Sequence, residues 1–243
     1  MTPEREPVAL TPSDELAHLR LLHLADSALP IGSLAHSFGL ETLVSVELLH
    51  VGDLPDFLHG YLREAAMLEA VACREAFRLA QPDGKEFDAI QWIEINDCLS
   101  ALKPARESRM ASATLGRNFL HAALGLGDFR LLRKARDTSL ECGGLIHQCA
   151  AFGLVSGVLG FEETRAVLAY LHQVSACLVS ACQRLMPLGQ TEATRILWNL
   201  KPAIVEVGAD SASLNLETVT CTMPLLDWGA MEHPALATRL FIS

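Results

Sequence analysis

The chain has 243 residues, half of them hydrophobic and a fifth charged. That composition supports a sizeable core, excludes a disordered chain and fits one large domain. Nineteen lysines and arginines against twenty-nine aspartates and glutamates give a net charge of −10, which disfavours general nucleic-acid binding.

The seven cysteines show no CxxC spacing and read as reduced, mostly buried thiols. The opening run MTPEREPVALTPSDE is rich in acidic residues and proline and lacks the apolar core of a signal peptide. The expectation is a cytoplasmic protein in which residues 1–12 form a flexible segment and residues 13–243 one all-α domain.

Apolar residues recur at spacings of three and four, and sustained alternation is hard to find, so the chain reads as a helical bundle. Ser13 can cap a first helix whose Leu16, Leu19, Leu22 and Leu24 form a broad apolar face, ending before the turn marked by Pro30 and Gly32. A second helix is expected over roughly His36 to Leu49. Asp53 with Pro55 just inside opens a third that continues to about Leu79, where Gln81-Pro82-Asp83-Gly84 makes a turn. Further helices are expected over Phe87 to Leu102, Ala105 to Leu124, Asp128 to Leu140 and Leu145 to Leu159. The next runs from Phe161 to Leu185, with Glu162 and Glu163 suited to its N-terminus. Thr191 caps another that ends near Pro202, and from about residue 209 the signal weakens into a partly extended C-terminal tail.

Cys142 to Gly160 is nineteen residues without a charge and contains Gly153-x-x-x-Gly157, a spacing used for close helix packing in membranes. His147, Gln148 and five glycines in the same run favour the other reading, the buried central helix of a soluble bundle with no membrane partner.

Neither GxxxxGK[ST] nor a GxGxxG following a strand occurs, which disfavours nucleotide hydrolysis by this chain alone. The nearest approach to a metal site is Cys142, His147 and Cys149, set among apolar neighbours. A metal-dependent enzyme built on these three is the alternative functional reading; small buried thiols beside a satisfied histidine is the plainer one. His36, Ser37 and Glu41 offer the residue types of a nucleophile and its base, but adjacent residues do not face one another on a helix. Eight of the nineteen positive residues gather between Lys103 and Arg136, opposed there only by Glu107 and Asp128. Arg106, Arg109 and Arg117 fall on one side of a helical wheel, as a solvated face or as a patch for a negatively charged partner.

Several strings then carry a resemblance. Ala28 to Glu41, ALPIGSLAHSFGLE, resembles the N-terminal signature of the urease accessory protein UreF family. Glu107-Ser108-Arg109, Leu115-Gly116-Arg117, His147 to Gly153, Arg184 to Gln190 and the ending Thr238-Arg239-Leu240-Phe241-Ile242-Ser243 are similar to later family segments, in the family's order. Where the family usually shows a stretch like SMRHE, this chain has Ala230-Met231-Glu232-His233-Pro234, so Glu232 replaces a positive residue.

The resemblance implies an all-α accessory protein with no cofactor and no catalytic activity of its own. It implies a homodimer that binds UreD (also called UreH), recruits the GTPase UreG and supports nickel insertion into apo-urease. On that footing Arg106, Arg109 and Arg117 are expected to face the GTPase or another accessory protein. Ser33, His36, Ser37 and Glu41 are expected to line a passage or interface, and Leu236, Leu240 and Phe241 to dock the C-terminal tail into a partner groove.

Overall fold

The computed structural model describes residues 12–80 and 86–243. The expected flexible segment therefore lies almost wholly outside the described residues. So do the Ser13 side chain with its expected cap and the turn at Gln81 to Gly84.

Among the described residues there are twelve α-helices and no strand. They are α1 (Pro12–Leu24), α2 (Leu40–Ser45), α3 (Leu54–Arg63), α4 (Ala65–Arg78), α5 (Ala89–Ala101), α6 (Arg106–Leu124), α7 (Arg130–Glu141), α8 (Gln148–Val158), α9 (Glu163–Leu185), α10 (Gln190–Asn199), α11 (Lys201–Asp210) and α12 (Pro224–Glu232). The fold is an all-α bundle.

The nineteen-residue uncharged run is broken. His147 ends an extended approach, and α8 itself has eleven residues, every one from Gln148 to Gly157 buried. Its glycines serve close packing: a methyl on Gly153 would overlap the Cys73 carbonyl oxygen, and one on Gly157 would come within 2.5 Å of the Phe77 oxygen. Side chains no larger than hydrogen let α4 and α8 lie backbone to backbone at the centre, with α6 and α9 alongside. Phe119, Phe152 and Tyr170 continue that core, with ring centroids 5.3 and 5.5 Å apart along the series. By length and composition α9 could cross a bilayer, but 61% of its apolar window is buried inside the bundle.

Local chemistry explains several boundaries. The Glu162 carboxylate accepts from the N–H groups of Thr164 and Arg165, and Asp88 does the same for Ile90 and Gln91, so each caps its helix. The long helix expected from Asp53 to Leu79 is split at Glu64, whose ψ of −82° turns the chain between α3 and α4. Thr191 lies inside α10, whose cap position is Gly189, and Pro202 sits in the first turn of α11, where a missing N–H costs nothing. The apolar face expected on α1 is also redistributed: Leu21 and Leu24 are buried, whereas Leu16, Leu19 and Leu22 are exposed. The helix meets α9 on the Leu21 side, leaving the other leucines on its outer surface. Farther along, the Arg74 guanidinium is buried and bonds Glu163 at 2.7 Å, Ser211 at 2.9 Å and the Gly208 oxygen at 2.5 Å, joining α4, α9 and α11.

Candidate functional site

The segment from Ser33 to Glu41 contains a 3-10 turn (Ser33–Ala35), a left-handed pair at Phe38 and Gly39 with φ 54° and 95°, and the first turn of α2. Gly39 is needed twice over. Its φ disfavours a side chain, and a Cβ there would stand 2.6 Å from the Leu226 oxygen of α12. The turn aims His36, Ser37 and Glu41 at one place, which the last residues of the chain fill.

Glu41 is the centre. One carboxylate oxygen accepts from the Leu240 N–H at 2.5 Å, and the other accepts from the Phe241 N–H at 3.1 Å and lies 2.8 Å from His233 Nε2. The Ser243 oxygen accepts from the Ser37 N–H at 2.6 Å and from its hydroxyl at 3.0 Å, while His36 Nδ1 bonds the Ser243 hydroxyl at 2.8 Å. Ile242 N–H donates to the Ala35 oxygen at 2.8 Å. The Arg184 guanidinium lies 4.1 Å from the Phe241 ring centroid and bonds the Leu34 oxygen at 2.6 Å. Residues 240–243 are thus a strap over the Ser33–Glu41 turn. Ser37 and His36 are each bonded to Ser243 and make no nucleophile–base pair. Burial pulls the His36 imidazole below its usual value.

Ser33 points the other way. Its hydroxyl donates to the Ser27 oxygen at 3.1 Å, and it borders a cavity of about 60 Å³ whose wall includes Glu69, Lys103, Tyr170, Cys177 and Cys221. Within that wall Lys103 Nζ is 2.7 Å from one Glu69 oxygen, and the Tyr170 hydroxyl donates to the other at 2.9 Å. Burial alone would depress the Lys103 ammonium, but the Glu69 charge and hydrogen bond outweigh it and hold its pKa above the ordinary value.

The alternative Cys142, His147 and Cys149 centre is not assembled. His147 is fully buried, its Nε2 2.9 Å from the Ser100 hydroxyl and its Nδ1 3.1 Å from that of Ser112, and its N–H donates to Asn96. Burial, joined by the Lys103 and Arg109 charges, lowers its pKa to about 3. Cys142 is exposed, whereas Cys149 is buried with its thiol pushed up by desolvation. Among the described residues no three His, Cys, Asp or Glu side chains converge as metal ligands.

A sequence model of the UreF family matches residues 50–201, more than half of the chain. The chain belongs to the UreF family. Curated relatives extend the match beyond that stretch. The urease accessory protein UreF of Rhodopseudomonas palustris is 29% identical over 245 residues and covers all of both chains. That of Nostoc sp. is 34% identical over 227 residues, 93% of this chain and 95% of the relative. That of Trichodesmium erythraeum is 32% identical, over 94% and 98%. The strap and the turn beneath it lie outside the family model's stretch but within the full-length alignment to the Rhodopseudomonas palustris protein.

The three arginines singled out in this UreF family chain do not act alike. Arg109 folds back on the turn before α6, its Nη1 2.6 Å from the Lys103 oxygen. Arg106 and Arg117 are exposed, about three turns apart on α6. Of the tail residues, Phe241 is buried in its own chain beneath Arg184, Leu236 is half-buried, and Leu240 is exposed. The expected tail groove is therefore supplied, for Phe241, by this same chain. The sequence marks Lys103 only as one end of the positive cluster and His233 only within the altered tail stretch, and it does not mark Glu69; the roles of all three depend on partners far away in the chain. The one available signal was a histidine or carboxylate amid apolar residues.

Proposed function

We propose that this UreF family member is a non-catalytic scaffold of urease maturation, working in the cytoplasm as a homodimer with UreD/UreH and the GTPase UreG to deliver nickel to apo-urease. Nickel is cargo in this reading, not a resident cofactor. One observation carries it: His36, Ser37 and Glu41 of the signature turn are committed to holding the strap, while apolar side chains beside it stay exposed. Leu225, Trp228 and Met231 recur at three-residue intervals on α12, and Leu240 and Ile242 follow on the strap, all between 40% and 72% exposed. Large apolar side chains on one helix face, left in water, suit burial against another protein. The exposed Arg106 and Arg117, with Arg109 bracing the turn below them, suit the acidic surface of a nucleotide-loaded GTPase.

The test is reconstitution. Purified chain, UreD and UreG are expected to co-elute and to activate apo-urease with nickel and GTP, and Trp228→Glu is expected to abolish both without unfolding the chain. GTP turnover in the assembled complex is expected to change in Arg109→Ala or Arg117→Ala. Activation that proceeds equally without this chain would overturn the reading, as would turnover of a small molecule by the chain alone.

A further inference from the structure

A basin of about 430 Å³ lies between α6, α7 and the loop joining α7 to α8. Its floor is apolar, from Leu120, Leu145 and Ile146, and its walls carry Arg117 and His121 from α6 and Arg136 from α7. The sequence grouped Arg117 with Arg106 and Arg109; the fold instead sets it with Arg136 and His121 around one hollow.

Three observations make the basin a preformed receptor. Its walls are fixed: a methyl on Gly116 would overlap the Ile146 carbonyl oxygen, so α6 and the loop are locked in contact beside Arg117. The Ser139 hydroxyl on the α7 wall accepts from the Trp92 indole at 2.8 Å and donates to the Ala135 oxygen at 3.1 Å, which holds that wall to α5. The cations are under-neutralised. Among the described residues no carboxylate lies within ion-pairing distance of Arg117, and the only one on Arg136 is its neighbour Asp137, with both side chains 40% or more exposed. Such a pair is weak and exchanges readily. Cations set around an apolar floor, on a chain whose net charge is −10, are stabilised by an anion that brings its own hydrophobic group. Beside them Leu140 is 68% exposed and widens the apolar rim.

We propose that this basin binds an acidic segment of a partner protein, seating one large apolar side chain on the Leu120–Leu145–Ile146 floor and flanking carboxylates against Arg117 and Arg136. The volume falls in the range of side-chain and small-ligand sites, and a fixed receptor limits the ordering cost of binding. The proposal deepens the scaffold reading above and rests on it for the origin of the segment, but its chemistry is tested separately.

The probe is a fluorescently labelled peptide, acetyl-Asp-Glu-Phe-Glu-Asp-amide, titrated into the full chain. Saturable binding below about 1 mM is expected, weakening steeply with added salt. Arg117→Glu and Arg136→Glu are each expected to weaken it by at least about tenfold. Arg195→Glu, the same charge change on the exposed surface of α10 away from the basin, is expected to alter it by less than about threefold. The peptide with Asn and Gln in place of its acids, and the one with Ser in place of Phe, are both expected to lose binding. Absence of saturable binding, an equal effect of Arg195→Glu, or retention of affinity by either altered peptide would overturn the proposal. Circular dichroism and thermal melting of each variant separate lost binding from lost folding, and Arg117→Gln gives a milder second probe of the same wall. A chain that binds the peptide yet fails in urease activation would sink the scaffold reading and leave the basin standing; the converse result would do the opposite.

Discussion

Replacing Glu41 is expected to free the C-terminal strap from the body of the protein. Its carboxylate is 5% exposed and takes three donors, the N–H groups of Leu240 and Phe241 and the ring of His233. A hydrogen bond to an ionised group contributes about 1.5–3 kcal/mol. Leu240 is exposed, so water replaces its partner on release, and the buried Phe241 and His233 contacts dominate. Glu41→Ala is therefore expected to weaken strap docking by about 3–5 kcal/mol, raising the undocked population between about a hundredfold and a few thousandfold. Glu41→Gln keeps the shape but turns an NH₂ towards a donor, for a smaller loss of about 2–3 kcal/mol. The assay is amide hydrogen exchange followed by mass spectrometry. Peptides covering residues 236–243 are expected to exchange faster in both variants, more so in the alanine, while those from α4 and α8 keep their protection. Wild-type protection of the strap in Glu41→Ala would refute the reasoning.

Three further outcomes follow from the core. Gly153→Ala is expected to cost more than about 3 kcal/mol in urea denaturation, because the new methyl forces α8 off the Cys73 carbonyl; a change within experimental error would contradict the close packing. Lys103→Met, which leaves the Glu69 carboxylate buried without its cation, is expected to cost about 3 kcal/mol, against about 1 kcal/mol for Tyr170→Phe; equal losses would argue against an ion pair as the main tie. His147 is the third. The unfolded chain takes up a proton below 6.5 whereas the folded imidazole resists until about 3. Stability should therefore fall as the pH drops through that window, by about 2 kcal/mol at about pH 5. His147→Asn is expected to flatten this dependence, and parallel pH profiles for the two proteins would count against it.

Much of the bundle is legible because helix periodicity and end signals are local. The carboxylate of Glu162 caps α9 where acidic residues suggested a start. The break at Glu64 has no proline to announce it, and α3 and α4 pack against each other across it. The leucines of α1 show the limit of angular reasoning: a stripe can be read from spacing, but its neighbour decides which side is covered, and here that side holds Leu21 rather than Leu19. At the site, Ser37, His36 and Glu41 stand out as polar groups in an apolar stretch. What they hold lies about 200 residues later, beyond anything spacing encodes. Arg117 stands out in the sequence for its charge, but its company with Arg136 depends on how α6 meets α7.

The strap is gripped chiefly by its main chain: the N–H groups of Leu240, Phe241 and Ile242 and the oxygen of Ser243 make the bonds, and only Phe241 and the Ser243 hydroxyl add side-chain anchors. Attachment and recognition are thereby uncoupled. Leu240 and Ile242 face outwards and can be exchanged for other residues without loosening the clasp, so the outer face can be retuned to a changing counterpart while its mounting stays constant.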